Sequence, residues 1–135
     1  MKIKLIDYGY LIKPFRAHAN DAGADVYIQK KVRIEPHTTM KIPLGFGLEI
    51  PIGYAAFVFP RSGMSTRGIV CELPPIDSGY TGEIHAIVSN LSDVAFEADA
   101  GTRIGQLVIT PVVVADFVND FGALRGNNGF GSTGE

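Results

Sequence analysis

The segment Glu83-Ile84-His85-Ala86-Ile87-Val88 alternates: Ile84, Ala86 and Val88 are apolar, and Glu83 and His85 are polar between them. A period of two is that of a β-strand with one face in the core and one toward solvent. Outward from it, β-branched and aromatic runs recur at 25–34, 38–44, 46–50, 54–59, 83–91 and 103–118, bounded by Gly, Pro or Asp. Such spacing predicts many short strands in a sandwich or barrel. No window keeps a helical period, and 16 glycines and 8 prolines punctuate the chain, so helix is expected to be limited to a turn or two. Pro111 interrupts the apolar run Leu107 to Val114, and because proline cannot donate to a ladder, two strands are expected there rather than one.

The 135 residues suffice for one domain with its own core, and the 46% hydrophobic and 19% charged content is that of a folded protein. A net charge of -2 provides no basic footprint for a long nucleic acid, so a phosphate-bearing partner needs a local site. Cys71 is the only cysteine, which excludes an intrachain disulfide. The early charges among the first eight residues and the lack of an apolar run near ~18 residues argue against a signal peptide or membrane span. A cytoplasmic protein is the expectation. His18, His37 and His85 show no metal-ligand spacing and are read as surface or satisfied core residues.

Composition changes at the end, in Arg125-Gly126-Asn127-Asn128-Gly129-Phe130-Gly131-Ser132-Thr133-Gly134-Glu135. With a single large apolar side chain this stretch cannot offset its own ordering entropy, so it reads as a flexible tail. Its glycines let backbone N–H groups approach phosphate oxygens, Ser132 and Thr133 add hydroxyls, Arg125 adds a charged fork, and Phe130 can stack on a base.

Four further segments carry polar groups suited to an anion. Pro60-Arg61-Ser62-Gly63-Met64-Ser65-Thr66-Arg67-Gly68 follows an apolar strand and offers arginines, hydroxyls and glycines at a strand end, which is either an anion site or an ordinary turn. Pro74-Pro75-Ile76-Asp77-Ser78-Gly79-Tyr80-Thr81-Gly82-Glu83 reads as a hairpin turn that Asp77 can cap, or as a site in which Asp77 is a general base and Tyr80 a flat wall. Asn20 to Val26 places Asp25 at a strand start. Arg103-Ile104-Gly105-Gln106-Leu107 places the Gln106 amide inside an apolar strand, where it needs partners from the core or from a ligand.

Together and in this order, the five segments resemble the motifs of the trimeric dUTPase family, the deoxyuridine triphosphate nucleotidohydrolases, from position 20 to 134. The resemblance implies an all-β, jelly-roll-like distorted barrel over 1–124, a flexible Gly-rich lid over 125–135, and a homotrimer with shared active sites. It further implies Mg²⁺ and cleavage of dUTP between the α and β phosphates. By that likeness Asp77 deprotonates the attacking water, Tyr80 packs on the deoxyribose, and Arg61, Ser62, Gly63 and Gln106 hold phosphate oxygens. Asp25 binds waters around the metal or supports the site, while Arg125, Phe130, Gly131, Ser132 and Thr133 close the lid.

The chain departs from the family in its base-reading hairpin. The stretch from Gly68 to Asp77 is shorter than the pattern and lacks the family's Asn and the Gly after it; Cys71 or Glu72 occupies that neighbourhood. Uracil recognition is then expected to rely more on backbone groups. The dCTP deaminases share a similar hairpin, but their pattern places a glutamate three residues before the Asn that ends the following strand, and here that position is Ile87. Two more functions compatible with the same motifs are a broader pyrimidine triphosphate pyrophosphatase and a non-catalytic jelly-roll binding module.

Overall fold

The alternating segment forms a central strand, β8 (His85–Asn90), in the computed structural model, which describes residues 1–119. Ile84, Ala86 and Val88 are fully buried, whereas His85 and Ile87 on the opposite side are half-buried. The other strands are β1 (Lys4–Asp7), β2 (Ala24–Tyr27), β3 (Val32–Ile34), β4 (Thr38–Pro43), β5 (Phe46–Glu49), β6 (Tyr54–Pro60), β7 (Ile69–Glu72), β9 (Phe96–Ala98) and β10 (Arg103–Pro111). Among the described residues, helix is confined to one turn, α1 (Ser62–Ser65).

All strand pairs are antiparallel and group as β1-β5, β2-β10-β6, β3-β9 and β4-β8-β7. Apart from the β7-β8 hairpin, neighbours in these sheets are not consecutive in the chain, so connections cross between layers, as the jelly-roll-like expectation requires. Their inner faces share one core, in which Phe46, Ile28, Ile34, Ile42, Leu44, Ile84 and Ile104 are among the largest fully buried side chains. Asn90, also fully buried, is satisfied: its Nδ2 donates to the carbonyls of Ile34 (3.0 Å) and Val94 (2.8 Å), and its Oδ1 accepts from the N–H and hydroxyl of Ser92. That amide pins the end of β8 to the end of β3, where a leucine would remove a hydrogen bond from each of three backbone groups.

Two expectations need correction. The run 103–118 forms one strand, not two: β10 stays paired with β6 up to Pro111 opposite Tyr54, and the chain then leaves the sheet. Pro111 takes the last place in the ladder, where a missing N–H costs least. Val112 to Val118 follow as an exposed segment without regular structure. The run 25–34 is divided instead, into β2 and β3, because Ile28 is held by Thr102 and Gly101 through backbone bonds that turn the chain. His18 meets Asp21 and His37 meets Asp93 at the surface, as expected, whereas His85 is half-buried and meets the Glu83 carbonyl through Nδ1 alone. The proposed lid, with Arg125, Phe130, Gly131, Ser132 and Thr133, lies outside the described residues.

Candidate active site

The sheet β2-β10-β6 assembles the first half of the site. Gln106 sits on the central strand, directly opposite Asp25 on β2 and Phe59 on β6, so the three side chains share one face. Immediately beyond Phe59, β6 ends at Pro60 and the chain passes through Arg61 into α1, which carries Ser62 and Gly63. Asp25, Arg61, Ser62, Gly63, Arg103 and Gln106 thereby line one cavity of about 230 Å³. Three segments that lie far apart in the sequence converge there.

Local geometry holds this cradle open. The Arg103 Nη1 donates to Asp25 Oδ2 at 3.0 Å, which fixes both side chains, and Arg61 Nη1 reaches the Arg103 carbonyl at 3.4 Å. Two guanidinium groups against one carboxylate leave the cavity net cationic, as a polyphosphate requires. At Gly63 nothing lies within 4 Å of where a Cβ would stand, so an anion can approach its backbone closely. At Gly105 a Cβ would lie 2.7 Å from the Phe59 carbonyl oxygen, so only glycine lets β10 and β6 meet at this point.

Gly23 has the sharpest requirement. A Cβ there would lie 2.7 Å from Gln106 Oε1 and 2.9 Å from Gln106 Cβ. The Gln106 side chain therefore occupies space that only glycine leaves free, with its Nε2 toward the Pro60 carbonyl at 3.4 Å. Gly23→Ala is expected to expel the amide from the cradle and to lower kcat/KM by about ten- to hundredfold, the usual effect of misplacing a positioning group. Steady-state kinetics beside a thermal melt check this; a variant with parental kcat and KM would show that Gln106 holds no substrate.

The second half of the site is the hairpin between β7 and β8. Ile76 forms a two-bond bridge to Ala56 on β6 (2.8 and 3.0 Å), and the Tyr80 N–H closes a turn onto the Asp77 carbonyl at 3.0 Å. The Asp77 carboxylate is exposed and has no hydrogen bond among the described residues, so its side chain does not cap this turn. It stands unengaged at the rim of a second cavity, of about 280 Å³, with Pro75, Ile76, Tyr80, His85 and Lys41 around it. Tyr80 is 45% exposed and lies over Gly82, where a Cβ would come 2.7 Å from its hydroxyl oxygen. Neither Cys71 nor Glu72 lines this cavity: both belong to β7, opposite Val88 and Ile87. Burial pushes the Cys71 thiol up to about 11, with Glu72 adding to the rise, so it remains protonated at neutral pH and unfit as a nucleophile.

Within one chain the two halves are far apart. Ile76 faces Ala56, and Arg61 lies five residues further on, just past the end of β6, about 17 Å at the rise of an extended strand. Asp77 continues away from Arg61, because the bridge is antiparallel. No residue lines both cavities.

A carboxylate near the cradle raises the question of a metal. Among the described residues no cluster of three His, Cys, Asp or Glu side chains could cage one. Asp25 alone lines the cradle as a carboxylate, which fits a Mg²⁺ that arrives on phosphate oxygens and keeps most of its waters. Arg103 carries no role that the sequence alone discloses, although it orients Asp25; its signal is a cation at the start of a strand, and its use depends on the strand register.

A family model described as dUTPase matches residues 10–134. The deoxyuridine 5'-triphosphate nucleotidohydrolase of Picosynechococcus sp. is 43% identical over 131 residues, covering 91% of each chain. That of Zymomonas mobilis is 39% identical over 142 residues, covering 99% of this chain and 97% of the relative. Among solved structures, a mutant Staphylococcus bacteriophage 80alpha dUTPase with dUpNHpp superposes with a TM-score of 0.87 at 26% identity, covering 98% of both chains. A mutant dUTPase from phage phi11 of S. aureus, described as coordinating a structural Mg(II) ion, gives 0.83 at 23% identity, covering 91% of this chain and 100% of the other. The latter likeness bears on the fold alone.

Proposed function

Because the chain belongs to the dUTPase family, we propose that it hydrolyses dUTP to dUMP and pyrophosphate in a homotrimer, with cradle and hairpin supplied to each site by different subunits. The observation that carries this reading is the convergence of Asp25, Arg61, Ser62, Gly63 and Gln106 on one cationic cavity, while the unengaged Asp77 stands too far along β6 to serve it. A second copy removes that separation. The exposed apolar stretch Val112, Val113, Val114, Phe117 and Val118 gives the chain a reason to associate, since a monomer gains nothing from leaving it in water.

In the assembled site Asp77 holds a water and accepts its proton as the oxygen attacks the α-phosphorus; the bond to the bridging oxygen breaks and pyrophosphate leaves. Arg61, Ser62 and Gln106 donate to phosphate oxygens and fix the line of attack, and the ring of Tyr80 packs against the deoxyribose, leaving no room for a 2′-hydroxyl. Mg²⁺ bound to the phosphates, with Asp25 reaching it through water, would neutralise charge on the triphosphate. Little covalent chemistry falls to the protein, so positioning and charge suffice. The lid residues Arg125, Phe130, Gly131, Ser132 and Thr133 close over the nucleotide.

Pyrophosphate release from dUTP, dCTP, dTTP and UTP under identical Mg²⁺ tests the proposal. Turnover of dUTP is expected to be the fastest, with dCTP the poorest pyrimidine substrate. Comparable rates on dUTP and dCTP would make the enzyme a broader pyrimidine pyrophosphatase, and no turnover of any of the four would leave a binding module.

A further inference from the structure

The hairpin cavity holds three polar side chains for which the reaction so far has no use, Glu83, His85 and Lys41, and the last two can face a ligand. His85 and Lys41 lie on adjacent strands of the sheet β4-β8-β7, His85 opposite Pro43 and Lys41 opposite Ile87. This register makes them diagonal neighbours on one face, about 7 to 8 Å apart. Both line the cavity that Asp77 and Tyr80 also line.

The His85 ring is oriented by a single atom. The Glu83 carbonyl oxygen accepts the Tyr80 hydroxyl at 2.7 Å and faces His85 Nδ1 at 3.1 Å. A carbonyl only accepts, so Nδ1 carries the proton and Nε2 of the neutral ring is an acceptor. Nε2 has no partner among the described residues. Glu83 is itself anchored, its Oε2 accepting the Gly45 N–H at 2.9 Å. The wall for the sugar and the acceptor beside it are therefore fixed through the same backbone oxygen.

Resting on the reading of the chain as a dUTP hydrolase, we infer that His85 and Lys41 read the base: His85 Nε2 accepts the uracil N3–H, and Lys41 Nζ donates to uracil O4. The edge of uracil runs acceptor, donor, acceptor, and this pair of groups meets it with acceptor beside donor. Cytosine presents a lone pair at N3 against Nε2, and its 4-amino group cannot accept from the ammonium. Side chains from the sheet thus take over the discrimination that the shortened hairpin, without its Asn, does not provide.

The test is the ratio of kcat/KM for dUTP to that for dCTP, in which the fraction of folded enzyme cancels. His85→Phe and Lys41→Met are each expected to lower this ratio by about tenfold or more, since each leaves one polar group of uracil without a partner. His85→Gln, which retains an acceptor, is expected to recover part of the loss. Unchanged ratios in both variants would overturn the inference and leave His85 as a cap on Glu83. Should His85→Phe not fold, exposed Lys41→Met and the ¹⁵N shift of wild-type His85 Nε2 on addition of dUMP decide the matter: a shift toward a hydrogen-bonded acceptor supports the inference, and an unmoved resonance refutes it. Wild-type enzyme that releases no pyrophosphate from dUTP would instead defeat the functional reading, and this inference with it.

Discussion

Asp77→Asn is expected to retain the fold and nucleotide affinity while losing roughly 10²- to 10⁴-fold in kcat, the usual contribution of a positioned base. Asp77 makes no hydrogen bond through its carboxylate among the described residues, and the turn it begins is closed by its backbone carbonyl instead. The amide is isosteric and has nothing in the fold to disrupt. Removing a negative charge from beside a bound anion gives no reason for weaker binding. Single-turnover kinetics with a separate measurement of dUpNHpp affinity separate the two effects. Turnover within about threefold of the parent would reduce Asp77 to a turn residue, because a working base contributes far more than that.

The second large effect is expected from mixed subunits. A chain lacking residues 125–135 and a chain carrying Asp77→Asn should each be nearly inactive as homotrimers. If the tail contacts the nucleotide, its binding energy is used chiefly in the transition state, so its loss costs more in kcat than in affinity. If the hairpin and tail of one site come from different chains, equal random mixing leaves about a quarter of sites with both parts intact, by the independence of the subunits in a symmetric trimer. Activity should therefore rise from background to roughly that fraction of the parent. No rescue in trimers verified as mixed would place base and tail on the same chain.

How much of the molecule is legible in its sequence depends on the range of the interaction. The alternation from Glu83 to Val88 is local, and β8 follows it closely; the scarcity of helix follows from the glycines and prolines in the same way. Strands β1, β7 and β9 have no sequence signature because three or four residues show no period, and their pairing with β5, β8 and β3 supplies what their own sequences lack. At Pro111 the rule that proline ends a ladder holds, yet the second strand expected after it has no partner edge among the described residues.

For the site, residue types are legible and register is not. Asp25, Arg61, Ser62, Gly63 and Gln106 stand out as anion-binding types, and the structure brings them together. That Gly23 makes room for Gln106 depends on the pairing of β2 with β10 across some eighty positions, which no local pattern encodes. The double use of the Glu83 carbonyl by Tyr80 and His85 is hidden for a different reason: it joins neighbours in the chain, but through side-chain conformations that sequence does not specify.

In the proposed reaction, a water held by Asp77 attacks the α-phosphorus of dUTP. Hydrolysis in H₂¹⁸O followed by mass spectrometry of both products tests it most directly. ¹⁸O is expected in the phosphate of dUMP and none in pyrophosphate; label in pyrophosphate would place the attack on the β-phosphorus and refute attack on the α-phosphorus.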